Sequence, residues 1–371
     1  MRMMSFDDKR VRISSATLVV LIILMSCSSY GVVGSPMVPA MFVFGDSLVD
    51  DGNNNFLRSI AKANYYPYGC DFDFGVPTGR FSNGKTFADF LASMMGLASP
   101  PPFADPNTVG TRILGGVNYA SAAAGILDET GQNFGETYSL SQQVLNFEST
   151  LNQLRALMPA SNLTTYLSKS IAIMLFGSND YINNYLLPSF YSSRSIYTPP
   201  QFAYLLLNHY ARQLVALYSV GLRKFFLAGI GPIGCIPYLR ASGQAPQGRC
   251  VDSVNEMLGT FNEGLRSLVD QLNQRPGAFA SYGNSYGAVG DILNNPATFG
   301  FNVVDRGCCG VKDQGQITCI PLTIPCPYRN QYVFWDAYHP TEAVNAILAN
   351  RAFYGSPLDV YPINIQNMTL K

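Results

Sequence analysis

Short, continuous apolar runs alternate along this chain with longer segments of helical periodicity. The runs lie at 40–44, 115–120, 170–176, 223–230 and 278–283. Apolar positions at every third or fourth residue mark helical segments at 85–97, 140–158, 202–222, 254–274 and 341–353. Continuous apolar runs are typical of strands covered on both faces, and their alternation with helices indicates a parallel sheet with right-handed crossovers. The sequence therefore predicts an α/β fold.

The length and composition suit one large domain. The chain has 371 residues, of which 47% are hydrophobic and 13% charged, so it can bury a sizeable core. No internal repeat or long linker divides it, and we expect a single domain over residues 35–371. Its 24 basic and 24 acidic residues balance, and its aromatic residues are not interleaved with basic clusters. This pattern is evidence against a nucleic-acid partner.

Residues 1–34 have the pattern of a secretory signal peptide. Basic residues precede a short apolar run at 16–25, and small and polar residues follow through Ser35. A membrane-spanning helix needs roughly 20 apolar residues, about twice the length of this run. We therefore expect the segment to be removed and the mature protein to be extracellular, without a stable membrane anchor. A retained anchor is the alternative.

Secretion favours disulfides over metal thiolates. Cys27 lies in the predicted leader, and the cysteines near the C-terminus lack the CxxC spacing and nearby histidines of a zinc site. We expect Cys235 to pair with Cys250 and Cys70 to remain unpaired. Two further pairs, of open connectivity, are expected among Cys308, Cys309, Cys319 and Cys326. In a secreted chain, Asn162 (NLT) and Asn367 (NMT) are glycosylation acceptors.

Three polar clusters follow or flank the predicted strands. They are GDS at 45–47, GSND at 177–180 and DAYHP at 336–340. In open parallel sheets, ligands bind at the carboxyl ends of the strands. The clusters therefore indicate where a functional site forms.

The segment DSLVDDGNNN could be a metal loop, a polar turn or the support of a nucleophile. With Gly52 at the sixth position of a calcium EF-hand loop, Val49 occupies a ligand position and Arg58 replaces the bidentate glutamate. A phosphate-binding loop is also excluded, because no Gly-Lys-Ser/Thr follows. We expect no metal and no organic cofactor.

A serine nucleophile needs a base within reach and an acid that orients the base. The chain has two histidines. His209 lies within a predicted helix, where a packing or surface role is expected. His339 follows Asp336 by three residues, in a turn that allows the carboxylate to accept the Nδ1 proton and leaves Nε2 free to act on Ser47.

An ester-cleaving serine also needs donors for the oxyanion. Asn179, in GSND, can donate through its side-chain amide, and the backbone amide of Ser47 can supply a second hydrogen. A turn or helix-cap role is the alternative for Asn179.

Six motifs resemble the plant-type GDSL esterase/lipase family of the SGNH hydrolases. In order along the chain they are FVFGDSLVDDGNNN, PTGRFSNGKTFADFLA, GGVNYASAAAGIL, FGSNDYINNY, IGPIGCIP and VFWDAYHPTEAVN. The resemblance implies a flavodoxin-like, three-layer α/β/α fold with about five mainly parallel strands. It also implies that Ser47 is the nucleophile, His339 the base, Asp336 its charge partner and Asn179 an oxyanion donor.

One motif departs from the family pattern. Ala122 and Ala123 follow NYAS, where glycine is common, while Gly125 is retained. A backbone N–H survives this replacement if φ is negative.

The sequence thus predicts a secreted serine esterase or lipase that cleaves carboxylic esters of lipids or related acyl compounds through an acyl-enzyme. Its partner is a lipid, polysaccharide or small-molecule ester, in the apoplast or cell wall if the source is a plant. Two alternatives are open: an acyltransferase or cell-wall or cuticle ester-modifying enzyme that uses the same site, and an inactive carbohydrate-binding or scaffold homologue. PTGRFSNG at 77–84 is expected to be a structural loop or part of the mouth of the site.

Overall fold

A computed structural model describes residues 35–244, 246, 249–309 and 318–371, so the predicted signal peptide at 1–34 lies outside the described residues. The strands are β1 Met41–Gly45, β2 Ile171–Leu175, β3 Lys224–Ala228, β4 Phe279–Gly283, β5 Val303–Gly307, β6 Tyr332–Phe334 and β7 Val360–Tyr361. The longer helices are α1 Phe87–Met94, α2 Leu140–Leu157, α3 Ala160–Lys169, α4 Pro199–Ser219, α5 Asp252–Met257, α6 Gly259–Asn273, α7 Ser285–Asn294, α8 Glu342–Tyr354 and α9 Ile365–Thr369.

The central sheet has the strand order β1-β2-β3-β4-β7. Its first four strands are parallel, and β7 pairs antiparallel with β4. A separate small sheet joins β5 to β6. The prediction of a mainly parallel sheet of about five strands is confirmed.

The apolar runs form strands because both of their faces are buried. Every residue of β1, β2 and β3 is buried. Phe42 and Phe44 pack in the core on one face with α2, α4 and α6, whereas Met41 and Val43 pack on the opposite face with α1, α8 and α9. This arrangement is the predicted three-layer α/β/α architecture.

The run at 115–120 was expected to be a strand, and this prediction is wrong in part. The segment runs beside β1, with hydrogen bonds from Met41 N to Gly115 O (3.1 Å) and from Tyr119 N to Val43 O (2.8 Å), but it forms only a single bridge to the sheet. Asn118 directs its backbone N–H and C=O to Pro101 and Phe103 on its other side instead. The fifth strand is β7, which lacks a long apolar run.

One helical prediction needs correction. The segment at 254–274 forms two helices, α5 and α6, with Leu258 between them. The helix predicted at 341–353 is present as α8, and a further short helix, α9, follows it. Among the described residues, no helix combines the length and the apolar character that crossing a membrane requires.

The predicted disulfides are present. Cys235 is bonded to Cys250, and the C-terminal cysteines form the pairs Cys308–Cys326 and Cys309–Cys319. Within the described part of the chain, Cys70 is the cysteine without a disulfide. The last two bonds tie the segment after β5 to the loop that precedes β6.

Candidate active site

Ser47 lies in a tight turn directly after β1. A side chain at Gly45 would meet Val49 Cγ2 at 2.6 Å and Leu175 O at 2.9 Å, so only glycine fits at the end of the strand. Asp46 then closes the turn, because its Oδ1 accepts from Leu48 N (2.9 Å) and its carbonyl accepts from Val49 N (3.2 Å). These bonds hold Ser47 at the carboxyl end of the sheet.

His339 lies in the loop between β6 and α8. Its carbonyl accepts from Trp335 N at 2.7 Å, which closes the loop. The Asp336 carboxylate accepts from the backbone amides of Tyr338 and His339, both at 2.8 Å. This short turn fixes Asp336 and His339 relative to each other, as their spacing in the sequence predicted.

The fold brings three predicted site residues together across 292 positions of sequence. Ser47 Oγ lies 2.8 Å from His339 Nε2. His339 Nδ1 lies 2.8 Å from Asp336 Oδ2 and 2.9 Å from Oδ1. When Nδ1–H donates to the carboxylate, Nε2 carries the lone pair that accepts the Ser47 hydroxyl proton.

The Asp336 carboxylate is buried and fully engaged. Burial alone would raise its pKa, but the adjacent His339 and the hydrogen bonds from His339, Tyr68 and Tyr338 outweigh burial and lower the pKa below its usual value. The Tyr68 hydroxyl donates to Asp336 Oδ2 at 2.6 Å. Asp336 is therefore an anion over a wide pH range.

Asn179 lies at the end of β2, after Gly177, whose φ of 115° places the backbone in the left-handed region. Its Nδ2 donates to Ala124 O at 3.0 Å, and its Oδ1 accepts from Asn183 Nδ2 at 2.7 Å. The second N–H of this amide has no partner among the described residues. Asn179 lines the same cavity as Ser47 and His339.

The two alanines that replace glycine differ in what their amides do. Ala122 N donates to Asp50 Oδ2 (3.1 Å) and Asn54 Oδ1 (3.0 Å). Ala123 has a φ of 65°, so the negative φ that we required for an undisturbed replacement is absent there. Ala123 nevertheless lines the cavity, and its N–H, like that of Ser47, has no partner in the described part of the chain.

The cluster DDGNNN does more than form the expected turn. Asn53 Nδ2 donates to Asn118 O (2.9 Å) and Ala120 O (2.7 Å). Asn54 Nδ2 donates to Ala122 O (3.1 Å), and its Oδ1 accepts from the Ser121 hydroxyl (2.6 Å). These buried amides tie the turn after β1 to the segment at 118–122. The only sequence signal for this role was the density of asparagines.

Asp180, which the sequence analysis did not single out, supports the site from outside the cavity lining. Its carboxylate accepts from Ile126 N (2.8 Å), Leu127 N (3.1 Å) and the Thr130 hydroxyl (2.8 Å). Burial raises its pKa to about 6 despite these bonds. Asp180 thereby anchors the segment after Ala123 to the end of β2.

Asp46, next to Ser47, had no predicted role. It is buried, and burial raises its pKa to about 7, although the Leu48 amide and His339 lower it. A buried carboxyl group with a raised pKa therefore directly precedes Ser47 in the chain.

The segment PTGRFSNG at 77–84 has the expected structural role, and one of its residues also lines the cavity. Arg80 makes a bidentate contact with Asp89 at 2.8 and 2.7 Å and fixes the start of α1. Phe81 lines the cavity, with its ring 4.9 Å from the His339 ring. His209 lies within α4 and is not among the residues that line the cavity.

Residues 41–352 match the family model of the GDSL-like lipase/acylhydrolases. The chain belongs to this family. Two GDSL esterase/lipases from Arabidopsis thaliana are 64% and 54% identical to it, over 91% and 90% of this chain and 91% and 88% of their own lengths.

A solved structure, phospholipase A1 from Streptomyces albidoflavus, covers 83% of this chain and 95% of its own at 12% identity. Its TM-score of 0.35 is too low to support a conclusion about this GDSL protein. Family membership itself confirms the prediction of a carboxylic ester hydrolase.

Proposed function

We propose that this GDSL protein is a secreted serine esterase that works through an acyl-enzyme. The observation that supports it best is the 2.8 Å contact between Ser47 Oγ and His339 Nε2, with His339 Nδ1 on the Asp336 carboxylate. Ser47 Oγ bonds to the ester carbonyl carbon while its proton passes to Nε2. The ester C–O bond then breaks, and Nε2 returns the proton to the departing alkoxide.

Water completes the cycle on the same groups. His339 takes a proton from water as its oxygen attacks the acyl carbon, and the proton passes to Ser47 Oγ as the carboxylic acid leaves. Each attack places negative charge on the carbonyl oxygen. The second N–H of Asn179 and the backbone N–H groups of Ser47 and Ala123 supply donors for that charge.

The decisive experiment replaces the nucleophile and the base. We expect Ser47→Ala and His339→Gln to lower kcat/KM for p-nitrophenyl butyrate on the order of 10⁴-fold or more. His209→Gln is the matched control and should stay within about twofold of the wild type. Hydrolysis at the wild-type rate by Ser47→Ala would refute the proposal.

The same site would serve an acyltransferase, and an inactive homologue is the other alternative. A fluorophosphonate probe separates the inactive homologue from an enzyme, because it labels only an activated serine. Product analysis with competing alcohols separates transfer from hydrolysis. We expect labelling at Ser47 and the free acid as the main product.

Secretion is supported by the disulfides, which persist in oxidising compartments. Asn162 and Asn367 are both exposed, so the glycosylation machinery can reach them. Expression with the native leader should release a protein that starts near residue 35 and shifts in mobility on deglycosylation. Asn162→Gln and Asn367→Gln should each remove part of that shift.

A further inference from the structure

One cavity, of about 400 Å³, extends along the carboxyl edge of the central sheet. Residues after successive strands line it: Ser47 after β1, Asn179 after β2, Gly231 after β3 and Ser285 after β4, with Asp359 just before β7. Neighbouring strands lie about 4.8 Å apart, so the four spacings from β1 to β7 correspond to roughly 19 Å. The cavity thus begins at the reactive serine, next to the edge strand β1, and reaches the other edge strand, β7.

The walls between these ends are apolar. The sheet contributes Leu175, Phe226 and Ala228, which point to the same face. Helix α8 contributes Val344, Leu348 and Ala352, which are four residues apart and so form one stripe along the helix. An unbranched hydrocarbon chain matches such a lining, whereas sugar hydroxyls would lose hydrogen bonds to water without replacement.

Polar groups reappear at the far end of the cavity. Arg351 pairs with Asp291 at 2.8 Å and with Asp359 at 3.4 Å, and Asn284 and Ser285 lie beside them. Near Ser47, the lining includes Ile60, which is 79% exposed and whose neighbour Ala61 accepts a hydrogen bond from Asn54 in the turn after β1. The serine end therefore has an opening to solvent.

We infer that this cavity is an acyl-chain channel and that the preferred substrates are esters of long, unbranched fatty acids. This inference rests on the proposed function. The acyl group bonds to Ser47 in the first step and is released only by water in the second, so it is the part of the substrate that suits the long apolar part of the cavity. The alcohol must leave and water must enter, so both need the open end near Ile60. An acetyl group would leave most of the channel unfilled.

The first test is a chain-length profile on p-nitrophenyl acetate, butyrate, octanoate and palmitate. Burial of each methylene is worth about fourfold in kcat/KM, so burial of as few as about four of the added methylenes would give the expected rise of more than 100-fold from acetate to palmitate. A maximum at acetate or butyrate would overturn the inference while leaving the esterase proposal intact. Absence of activity on all four esters would instead count against the esterase proposal.

Two substitutions test the channel from opposite walls. A Cβ at Gly231 would meet only Val289 Cγ2 at 3.7 Å and Ser285 O at 3.9 Å, which are ordinary contacts. Both neighbours line the cavity, so we expect the side chain of Gly231→Leu to occupy part of the channel. Ala352→Phe fills it from α8. Each should lower the ratio of palmitate to acetate kcat/KM at least tenfold. Ala346→Phe, on α8 but outside the lining, is the control and should preserve the ratio.

A binding measurement tests the channel without catalysis and also applies if a channel variant does not fold. Palmitate should displace a fluorescent fatty acid from Ser47→Ala at a concentration at which acetate does not. An unchanged palmitate-to-acetate ratio in folded Gly231→Leu and Ala352→Phe, or failure of palmitate to bind Ser47→Ala, would overturn the inference.

Discussion

At the scale of single residues, the least expected contact is the one between Tyr68 and Asp336. Asp336 was predicted as the partner of His339, but nothing in the sequence pointed to a tyrosine 268 positions away. The Tyr68 ring is fully buried, and its hydroxyl donates a hydrogen bond to Asp336 Oδ2 at 2.6 Å. Tyr68 therefore positions Asp336 and stabilises its charge, without reaching the serine.

Tyr68→Phe should reveal this positioning role. A hydrogen bond to a charged group contributes about 1.5–3 kcal/mol, so we expect kcat/KM to fall about tenfold or more. Because the bond favours the carboxylate, its loss raises the pKa of Asp336 and should move the acidic limb of the pH profile to higher pH. Esterase assays across pH provide the measurement.

Tyr65→Phe is the matched control for this substitution. The Tyr65 hydroxyl donates to Cys319 O at 2.9 Å rather than to Asp336. We expect a small loss of stability and an unshifted pH profile. Equal shifts in both variants would show that Tyr68 acts only through packing.

At the scale of elements, the site depends on segments that are not helices or strands. The disulfide Cys309–Cys319 fixes the segment that contacts both tyrosines, since Cys319 N donates to Tyr68 OH at 3.4 Å. The second disulfide near the C-terminus, Cys308–Cys326, also joins the segment after β5 to the loop before β6. These bonds thus support Tyr68, and through it Asp336, from outside the central sheet.

Removal of one disulfide should therefore affect activity as well as stability. We expect Cys309→Ser/Cys319→Ser to lower the free energy of unfolding by about 2–4 kcal/mol and to reduce kcat/KM in the remaining folded protein. Cys235→Ser/Cys250→Ser is the comparison, because this pair makes no contact with Tyr68. Denaturation curves and assays at a temperature where both variants are folded would show the difference. An equal effect on kcat/KM would contradict the link to Tyr68.

At the scale of the whole molecule, the buried carboxyl groups set how stability depends on pH. Burial raises the pKa of Asp46 to about 7 and those of Asp50 and Asp180 to about 6. An aspartate in the unfolded chain has a pKa of about 3.9. Between pH about 4 and about 7, the folded state therefore binds more protons than the unfolded state.

The free energy of unfolding should rise as the pH falls from about 7 towards about 4, because proton uptake by the folded state favours it. Asp336 and Asp89 act in the opposite sense. Their pKa values are lowered, so their contribution is present above the unfolded pKa and is lost as the pH falls through the folded pKa. We expect maximal stability in mildly acidic solution, measured as the melting temperature from pH 3 to 9.

Asp46→Asn provides the control for this pH dependence. Of Asp46, Asp50 and Asp180, this substitution removes the carboxyl group with the highest pKa, so the melting temperature should change less between pH 6 and 8 than in the wild type. A melting temperature that rises from pH 5 to 8 in the wild type would contradict the assignment.

The sequence by itself determined the features that depend on residues close together along the chain, namely the strands and the turn at Asp336. Continuous apolar runs identified β1 to β4, because β1 to β3 are buried on both faces and β4 is buried after its first residue. The three-residue spacing of Asp336 and His339 predicted a turn in which the side chains meet. The run at 115–120 shows the limit of this reasoning, since apolar character reports burial and not whether a segment forms a regular strand.

Only the tertiary structure decided which distant residues meet. The order of the strands and their crossovers placed Ser47 against His339, Tyr68 against Asp336, and Asn54 against Ala122. The same strand order aligned the loops that enclose the cavity from Ser47 to β7, a strand too short to leave a pattern. Periodicity records the local backbone and its burial, whereas contacts between distant segments arise when the described segments pack around the central sheet.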